Sequence, residues 1–366
     1  MEGDEIGSVR ILAKGLSTVR KTKSGWMKVY VDIPKTFDAI KLFKKNNYLK
    51  ALVDSKDSKF LKGGLNAKGK VFGDRVNVLP SKHELDKAFS LFADGLVIHD
   101  ELSSSHWDVI FRNPNGKYSY LYTLEKKKKS KARKFSAVDN FEKNLVKINR
   151  AVNKGIVDGD LMALAMRTLL QTRMRVGSEV YYKADGHKGL TTLKKGDVKI
   201  SGNKVTFSFI AKDGVPQVIS ERFSKEYVKN LKSVLRKLKS NGFIFAKAGR
   251  PFRDTDFKKA FENYCGEEFY PHIVRSHYAT KRAEDFLKKH KKSNRDEVEK
   301  LFGDIAVKLG HKKFSKGEWK TDYSATVHYY IKPKFVDRIL KKMEAGAARG
   351  IPSKEGTKVP VLSGKV

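Results

Sequence analysis

Near the C-terminus the stretch DYSATVHYYIKP, residues 322–333, crowds Tyr323, Tyr329 and Tyr330 together, and His311 stands upstream of them in KLGH. Further back, PHIVRSHYAT holds His272, Arg275 and His277 at i, i+3 and i+5, so that on a helix start the first two share a face. Arg175 lies in TRMRVGSEVYY, and Lys212 stands beside the Asp213-Gly214 pair of FIAKDGV. Phenols, guanidinium groups, imidazoles and an ammonium together suit one kind of chemistry. Breaking a phosphodiester without a metal needs a nucleophile, cations around the non-bridging oxygens, and an acid for the departing 5′-oxygen. A phenol suits the first task, because its phosphodiester keeps the energy of the broken bond for rejoining. Each residue also has a plainer reading: Arg175 as a cation at a helix C-terminus, His272, His277 and His311 as ordinary satisfied histidines, Lys212 as a wet hairpin lysine.

The charge narrows the field. Lys and Arg number 77 against 41 Asp and Glu, a net +36, and a field of that size attracts a polyanion. Nucleic acid is the leading partner, with an anionic membrane surface the competing one. The single cysteine, Cys265, excludes an internal disulfide and a multi-cysteine zinc site, and the nine histidines show no metal-ligand spacing, so neither metal nor cofactor is expected. The N-terminal MEGDEIGSVR lacks the apolar stretch of a secretory signal and no run approaches a membrane span. A soluble protein in a reducing, intracellular compartment, located with the DNA, is the expectation.

The elements that must position these residues fall into two parts. Residues 1–124 read as β-rich: WMKVYVDIP alternates like a strand, HWDVIFRNPNGKYSYLYTL reads as a hairpin turning at Gly116, and SKHELDKAFSLFADG has the spacing of a short helix capped by Ser81. Residues 125–135, EKKKKSKARKF, break the pattern with Lys126, Lys127, Lys128, Lys129, Lys131, Arg133 and Lys134. They read as a basic linker, which would gain from counterion release on DNA or else remain a solvated tether. Residues 136–342 turn mainly helical, with one long helix, GDLMALAMRTLLQTRMRVGSEVYYKADG, placing Arg175 at the end of its apolar run. The helices are interrupted by NKVTFSFIAKDGVPQVIS, a hairpin with a two-residue Asp213-Gly214 turn and Lys212 as the last residue of its first strand. Residues 343–366 read as a disordered basic tail.

Taken in order, these segments resemble a known family. RVGSEVYY followed by GLTTLKKGDV resembles the arginine motif and downstream segment of type IB DNA topoisomerases. HIVR and LGH resemble the paired boxes that these enzymes share with tyrosine recombinases, and YIKP resembles the topoisomerase tyrosine motif. The five pieces span about residues 136–335, roughly half the chain, in the family's order. The resemblance implies an α+β protein: a β-containing N-terminal cap, and a mainly helical catalytic domain with a small hairpin sheet, forming a C-shaped clamp on duplex DNA. It implies a monomer without cofactor that relaxes supercoils through a 3′-phosphotyrosyl intermediate.

Carried over residue by residue, Arg175 and Arg275 become clamps on the scissile phosphate, Lys212 the general acid, His311 a hydrogen-bonding partner of a non-bridging oxygen, and His272 a supporting residue. Tyr330 becomes the nucleophile, being followed by Ile331-Lys332-Pro333, and that proline is expected to end the helix presenting the phenol. Tyr329 is the alternative, with Thr326 three residues before it. On one helix the two phenols point about 100° apart, so one of them faces the phosphate.

The sequence departs from the family in two places. His311 and Tyr330 are 19 positions apart (330 − 311), about twice the usual interval, because KKFSKGEWKTDYSA intervenes. His272-x-x-Arg275 reads more like a recombinase. A tyrosine recombinase or integrase exchanging strands between two duplexes, and a non-catalytic DNA-binding protein, are therefore the rival readings.

Overall fold

The computed structural model describes residues 5–99, 107–239 and 241–347, and the chain divides into two compact units, Met1–Arg133 and Lys134–Val366. Both mix helices with small antiparallel sheets. No helix among the described residues is long and apolar enough to cross a membrane.

The first unit runs β1 (Val9–Ile11), β2 (Thr18–Thr22), β3 (Gly25–Lys28), α1 (Pro34–Lys45), β4 (Gly64–Leu65), β5 (Val71–Phe72), β6 (Val76–Val78), β7 (Glu84–Phe89), β8 (Asp94–Ile98), β9 (Val109–Arg112) and β10 (Tyr118–Leu121). A five-stranded sheet in the order β3-β2-β1-β4-β5, a sheet β10-β9-β8 and the pair β6-β7 enclose a core around Ile11, Phe43, Leu61, Phe89 and Val109. The expected hairpin around Gly116 is present as β9-β10, with Arg112 opposite Tyr118. The helix expected over SKHELDKAFSLFADG is instead strand β7, paired with β6. Leu85 and Phe89 are four apart, a spacing that puts two side chains on one face of a strand as well as of a helix, so the pairing with Val76–Val78 decided between them.

Helix α2 (Leu124–Val157) contains residues 125–135, read from sequence as a linker. Its buried stripe starts only at Phe135 and continues through Val138, Phe141, Ile148, Val152 and Ile156. The basic run has no apolar face to bury, yet Lys, Glu and Ala are good helix formers and extend the helix forward.

The second unit continues with α3 (Leu161–Thr172), α4 (Glu179–Asp185), β11 (Val198–Ser201), β12 (Lys204–Ile210), β13 (Pro216–Arg222), α5 (Lys225–Lys237), β14 (Ala246–Lys247), β15 (Arg250–Pro251), α6 (Asp254–Cys265), α7 (Ile273–Lys289), α8 (Arg295–Leu309), β16 (Lys312–Ser315), β17 (Glu318–Thr321), α9 (Ser324–Tyr329) and α10 (Pro333–Ala347). One core joins α2, α3, the sheet β11-β12-β13, α5 and α6 around Phe141, Leu164, Phe207, Tyr227 and Phe257. Another joins α7, α8 and α10 around Ala283, Phe302, Ile305, Tyr330 and Ile339.

Four expectations need correcting here. The single long helix around Arg175 is two helices: Asp160 caps α3 by accepting from the Met162 N–H, and Arg173 ends it in the left-handed region at φ 60°. The hairpin β12-β13 has a three-residue tip, Lys212-Asp213-Gly214, closed by Ala211 N–H to the Val215 carbonyl at 2.8 Å, so Lys212 is on the tip and not in the strand. Pro333 does not end the tyrosine-bearing helix but begins α10, where its missing N–H costs nothing. Residues 343–347 of the expected tail belong to α10, and 348–366 lie outside the described residues.

Candidate active site

Arg175 lies three residues past α3, on a segment without helix or strand that is held by a single 3-10 turn at Leu190–Thr192. Leu190 and Thr191 donate their N–H groups to the Arg175 and Val176 carbonyls at 2.9 and 2.8 Å. The approach is so close that a Cβ on Gly189 would stand 2.6 Å from the Gly177 Cα, which explains the glycines of RVG and GLTT. From this segment the Arg175 guanidinium donates to the Tyr330 hydroxyl at 3.3 Å.

Tyr330 follows α9 directly and is 5% exposed, whereas Tyr329 is 62% exposed and offers the site only its carbonyl, which accepts from Lys134. The Tyr330 ring lies 4.7 Å from the His311 ring and 5.0 Å from the His272 ring, with the Arg275 guanidinium carbon at 5.3 Å and the Lys134 ammonium at 5.1 Å from its centre. Thr280 on α7 donates to the Tyr330 carbonyl at 3.2 Å, fixing the backbone from behind. Tyr323 is outside this group, its ring against Phe302 and its hydroxyl buried without a partner among the described residues.

Arg275, 2% exposed on the first turn of α7, is the best-anchored cation. It donates to the Arg173 carbonyl at 2.6 Å and to the Leu309 carbonyl at 2.8 Å, backbone groups left open where α3 and α8 end. Its Nη2 also approaches His311 Nε2 at 3.1 Å. A guanidinium has no acceptor, so Nε2 accepts, and the imidazole proton lies on Nδ1, donated to Thr326 at 2.7 Å. Arg275 Nε is buried with no partner among the described residues.

Burial, then the charges of Arg275 and Arg175, push His311 down to about 3. Burial pushes His272 down to about 3 too, helped by Arg275, Arg175, Lys134 and His311. Burial lowers Arg275 to about 10, leaving it charged at neutral pH. Two neutral imidazoles beside fixed cations describe a place prepared for an anion.

Arg175, Lys212, Arg275 and His311 line one cleft of about 190 Å³, with Lys188, Lys308 and Lys312 also on its wall and Asp213 and Asp322 as its acids. His277 is elsewhere, packed on Phe141 and paired with Glu142. Of the basic run, Lys126 pairs with Asp108 at 2.9 Å, Lys127 with Asp86 at 2.6 Å and Lys129 with Glu125 at 2.6 Å. Lys128, Lys131 and Arg133 are exposed, and Lys134 reaches the tyrosine instead. Sequence reasoning missed Thr280, the carbonyls of Arg173 and Leu309, and the place of Lys134 beside Tyr330. None of these has a local signal, because each meets the site across a long stretch of chain.

The family model of the eukaryotic DNA topoisomerase I catalytic core matches residues 123–329, more than half of the chain and ending one residue before Tyr330. The chain belongs to that family. No curated protein sequence matches it. Among solved structures it is similar to the XerH site-specific recombinase bound to difH substrate in a pre-cleavage complex, at 14% identity and a TM-score of 0.34, over 54% of this chain and 52% of that one. It is also similar to the post-cleavage complex of XerH with palindromic difH, at 17% identity and a TM-score of 0.31, over 48% of each chain. The chain thus spans about half the length of those recombinases.

Proposed function

We propose that this protein is a type IB DNA topoisomerase that relaxes supercoiled duplex DNA as a monomer, without ATP or metal. The observation that carries the reading is the Tyr330 phenol bonded to the Arg175 guanidinium and ringed by His272, Arg275 and His311, with Arg175, Arg275 and His311 also lining the cleft that Lys212 lines.

In this reading the Tyr330 oxygen attacks the phosphorus of the scissile phosphate and the P–O5′ bond breaks. The phenolic proton leaves to solvent, Lys212 gives a proton to the departing O5′, and its amine regains one from solvent, so charge and atoms balance. Arg175 and Arg275 hold the non-bridging oxygens, and the Arg275 Nε, without a partner among the described residues, is left to donate to one of them. The phosphate charge offsets the Arg275 and Arg175 charges that, after burial, hold His311 neutral, and so favours an imidazole that takes up a proton from solvent and donates to the same group. The free 5′-hydroxyl end swivels and then attacks the phosphotyrosyl ester in reverse. ATP is not required because the ester stores the bond energy. Residues 1–124 serve as the DNA-contacting cap and 136–342 as the catalytic part, with Lys128, Lys131 and Arg133 on the duplex backbone.

The recombinase alternative has in its favour the His272-x-x-Arg275 spacing. Against it, the C-terminal helix α10 buries Val336 and Ile339 against α7 and α8 of its own chain, a core that exchanging this segment between protomers would open.

The test is relaxation of negatively supercoiled plasmid in EDTA without ATP, with denaturing gels to trap a protein–DNA adduct. Wild type relaxes the plasmid and forms the adduct, and Tyr330→Phe does neither while still binding DNA. Plasmid binding without relaxation or adduct refutes the proposal, and an adduct confined to particular sites with joining of two duplexes makes the protein a recombinase.

A further inference from the structure

The segment between His311 and Tyr330 is not a slack insertion. It forms the ribbon β16-β17, turning at Lys316-Gly317 with both residues at positive φ, 51° and 82°, the combination whose twist suits a two-residue hairpin turn. An isolated two-stranded ribbon is marginal in water. This one is weakened further by placing Lys313 directly opposite Lys320. Apart from the half-buried Trp319, its residues are exposed. What it touches must therefore hold it, and it touches the hairpin that carries Lys212.

Two hydrogen bonds join the two hairpins, and an indole lies beside the tip. At the ribbon's base Gln217 of β13 donates to the Gly310 carbonyl at 3.0 Å, a fit that would put a Cβ on Gly310 2.3 Å from the Gln217 amide oxygen. One step further, Lys312 donates to the Pro216 carbonyl at 3.2 Å. At the tip the Trp319 ring edge lies 4.0 Å from where a Cβ on Gly214 would stand. Phe314, opposite Trp319 in the register and 57% exposed, packs edge-on with the indole at 5.3 Å between ring centres.

Lys212, next but one to Gly214, is exposed, stands on a tip whose Asp213 is at φ 64°, and has no ion pair among the described residues. Among the described residues no hydrogen bond or ion pair from its own hairpin holds its ammonium. Proton transfer is sensitive to displacements of about 1 Å, so the tip needs an external stop.

We propose that β16-β17 braces the Lys212 tip, with Trp319 as the positioning residue that sets where the ammonium meets the leaving oxygen. This rests on Lys212 being the general acid of the proposed reaction. Trp319 acts through Lys212 and takes no part in the phosphate clamp.

The experiment uses the full chain and a duplex oligonucleotide with one cleavage site, mapped beforehand by its covalent adduct, in two forms. One has the ordinary 5′-bridging oxygen, and the other has sulfur in its place, so that the leaving thiolate needs no proton. Single-turnover cleavage is measured for wild type, Trp319→Ala, Trp319→Phe and Lys212→Ala. Trp319→Ala is expected to cleave the oxygen duplex about tenfold or more slowly and the sulfur duplex within about twofold of wild type, a fraction of the loss expected for removing a general acid outright. Trp319→Phe, which keeps an aromatic edge at Gly214, should recover most of the rate. Equal slowing of Trp319→Ala on both duplexes, or no slowing on either, overturns the brace while Lys212→Ala is still rescued by sulfur. If Lys212→Ala is itself slowed equally on both, the acid assignment fails and the brace falls with it.

Discussion

Tyr330 and Lys212, the proposed nucleophile and acid, stand in opposite kinds of surroundings. The tyrosine is enclosed, with its hydroxyl under Arg175, its ring between two imidazoles and its carbonyl bonded to Thr280. The lysine is exposed on a three-residue tip and depends on a neighbouring ribbon for its direction. The difference matches what the proposed reaction asks of each group. Phosphate clamp and nucleophile act at one fixed point and gain from being built beforehand, whereas the acid must enter beside a duplex already bound. Changes on the tyrosine side should therefore move both stability and rate, and changes on the lysine side should move rate alone.

The largest effect that tests this contrast is expected from Lys212→Ala. Strand cleavage should fall by about 10²–10⁴-fold, the usual range for a general acid, with the urea midpoint unchanged. A shifted midpoint would mean that the tip is part of the core after all. Arg275→Ala should lower cleavage by about 10²–10³-fold, comparable to losing one oxyanion donor. It should also destabilise the fold, because the Arg173 and Leu309 carbonyls lose their donor, at about 1–3 kcal/mol for each buried group left unsatisfied. Retained stability in Arg275→Ala would erase the distinction between the two sides.

A smaller effect concerns pH. His272 and His311 are held down to about 3 in the folded chain, so below the ordinary imidazole value of about 6.5 the unfolded chain binds protons that the folded one refuses. Their contribution is complete above that value and is lost as pH falls from it toward 3. Urea midpoints should drop between pH 7 and pH 5 by more in wild type than in the His272→Gln, His311→Gln double variant, and equal drops would show that these imidazoles are not buried beside fixed cations. The smallest effect is expected from Tyr329→Phe. An exposed side chain away from the cluster should change relaxation by no more than about twofold, as for surface substitutions generally.

Much of the local structure was readable in advance. The hairpins around Gly116 and Gly214, the helices from α5 to α8 and the position of His311 after a helix follow from turn residues, caps and apolar spacing, all of which act within a few positions. Strand β7 was misread because Leu85 and Phe89 have a spacing that two geometries share. The basic segment 125–135 was read as a tether because it buries nothing, whereas its residues favour a helix that α2 had only to continue.

The sequence by itself determined the chemical stock: tyrosines, arginines, histidines and one tip lysine in a fixed order, in a chain charged to meet a polyanion. Between the adjacent phenols it favoured Tyr330 over Tyr329 only through the resemblance of Tyr330-Ile331-Lys332-Pro333 to a family motif. Only the tertiary structure brings Arg175 to Tyr330 across 155 positions and the Arg173 carbonyl to Arg275 across 102. Contacts over such distances depend on how helices pack and where their open carbonyls point, and no local period records that.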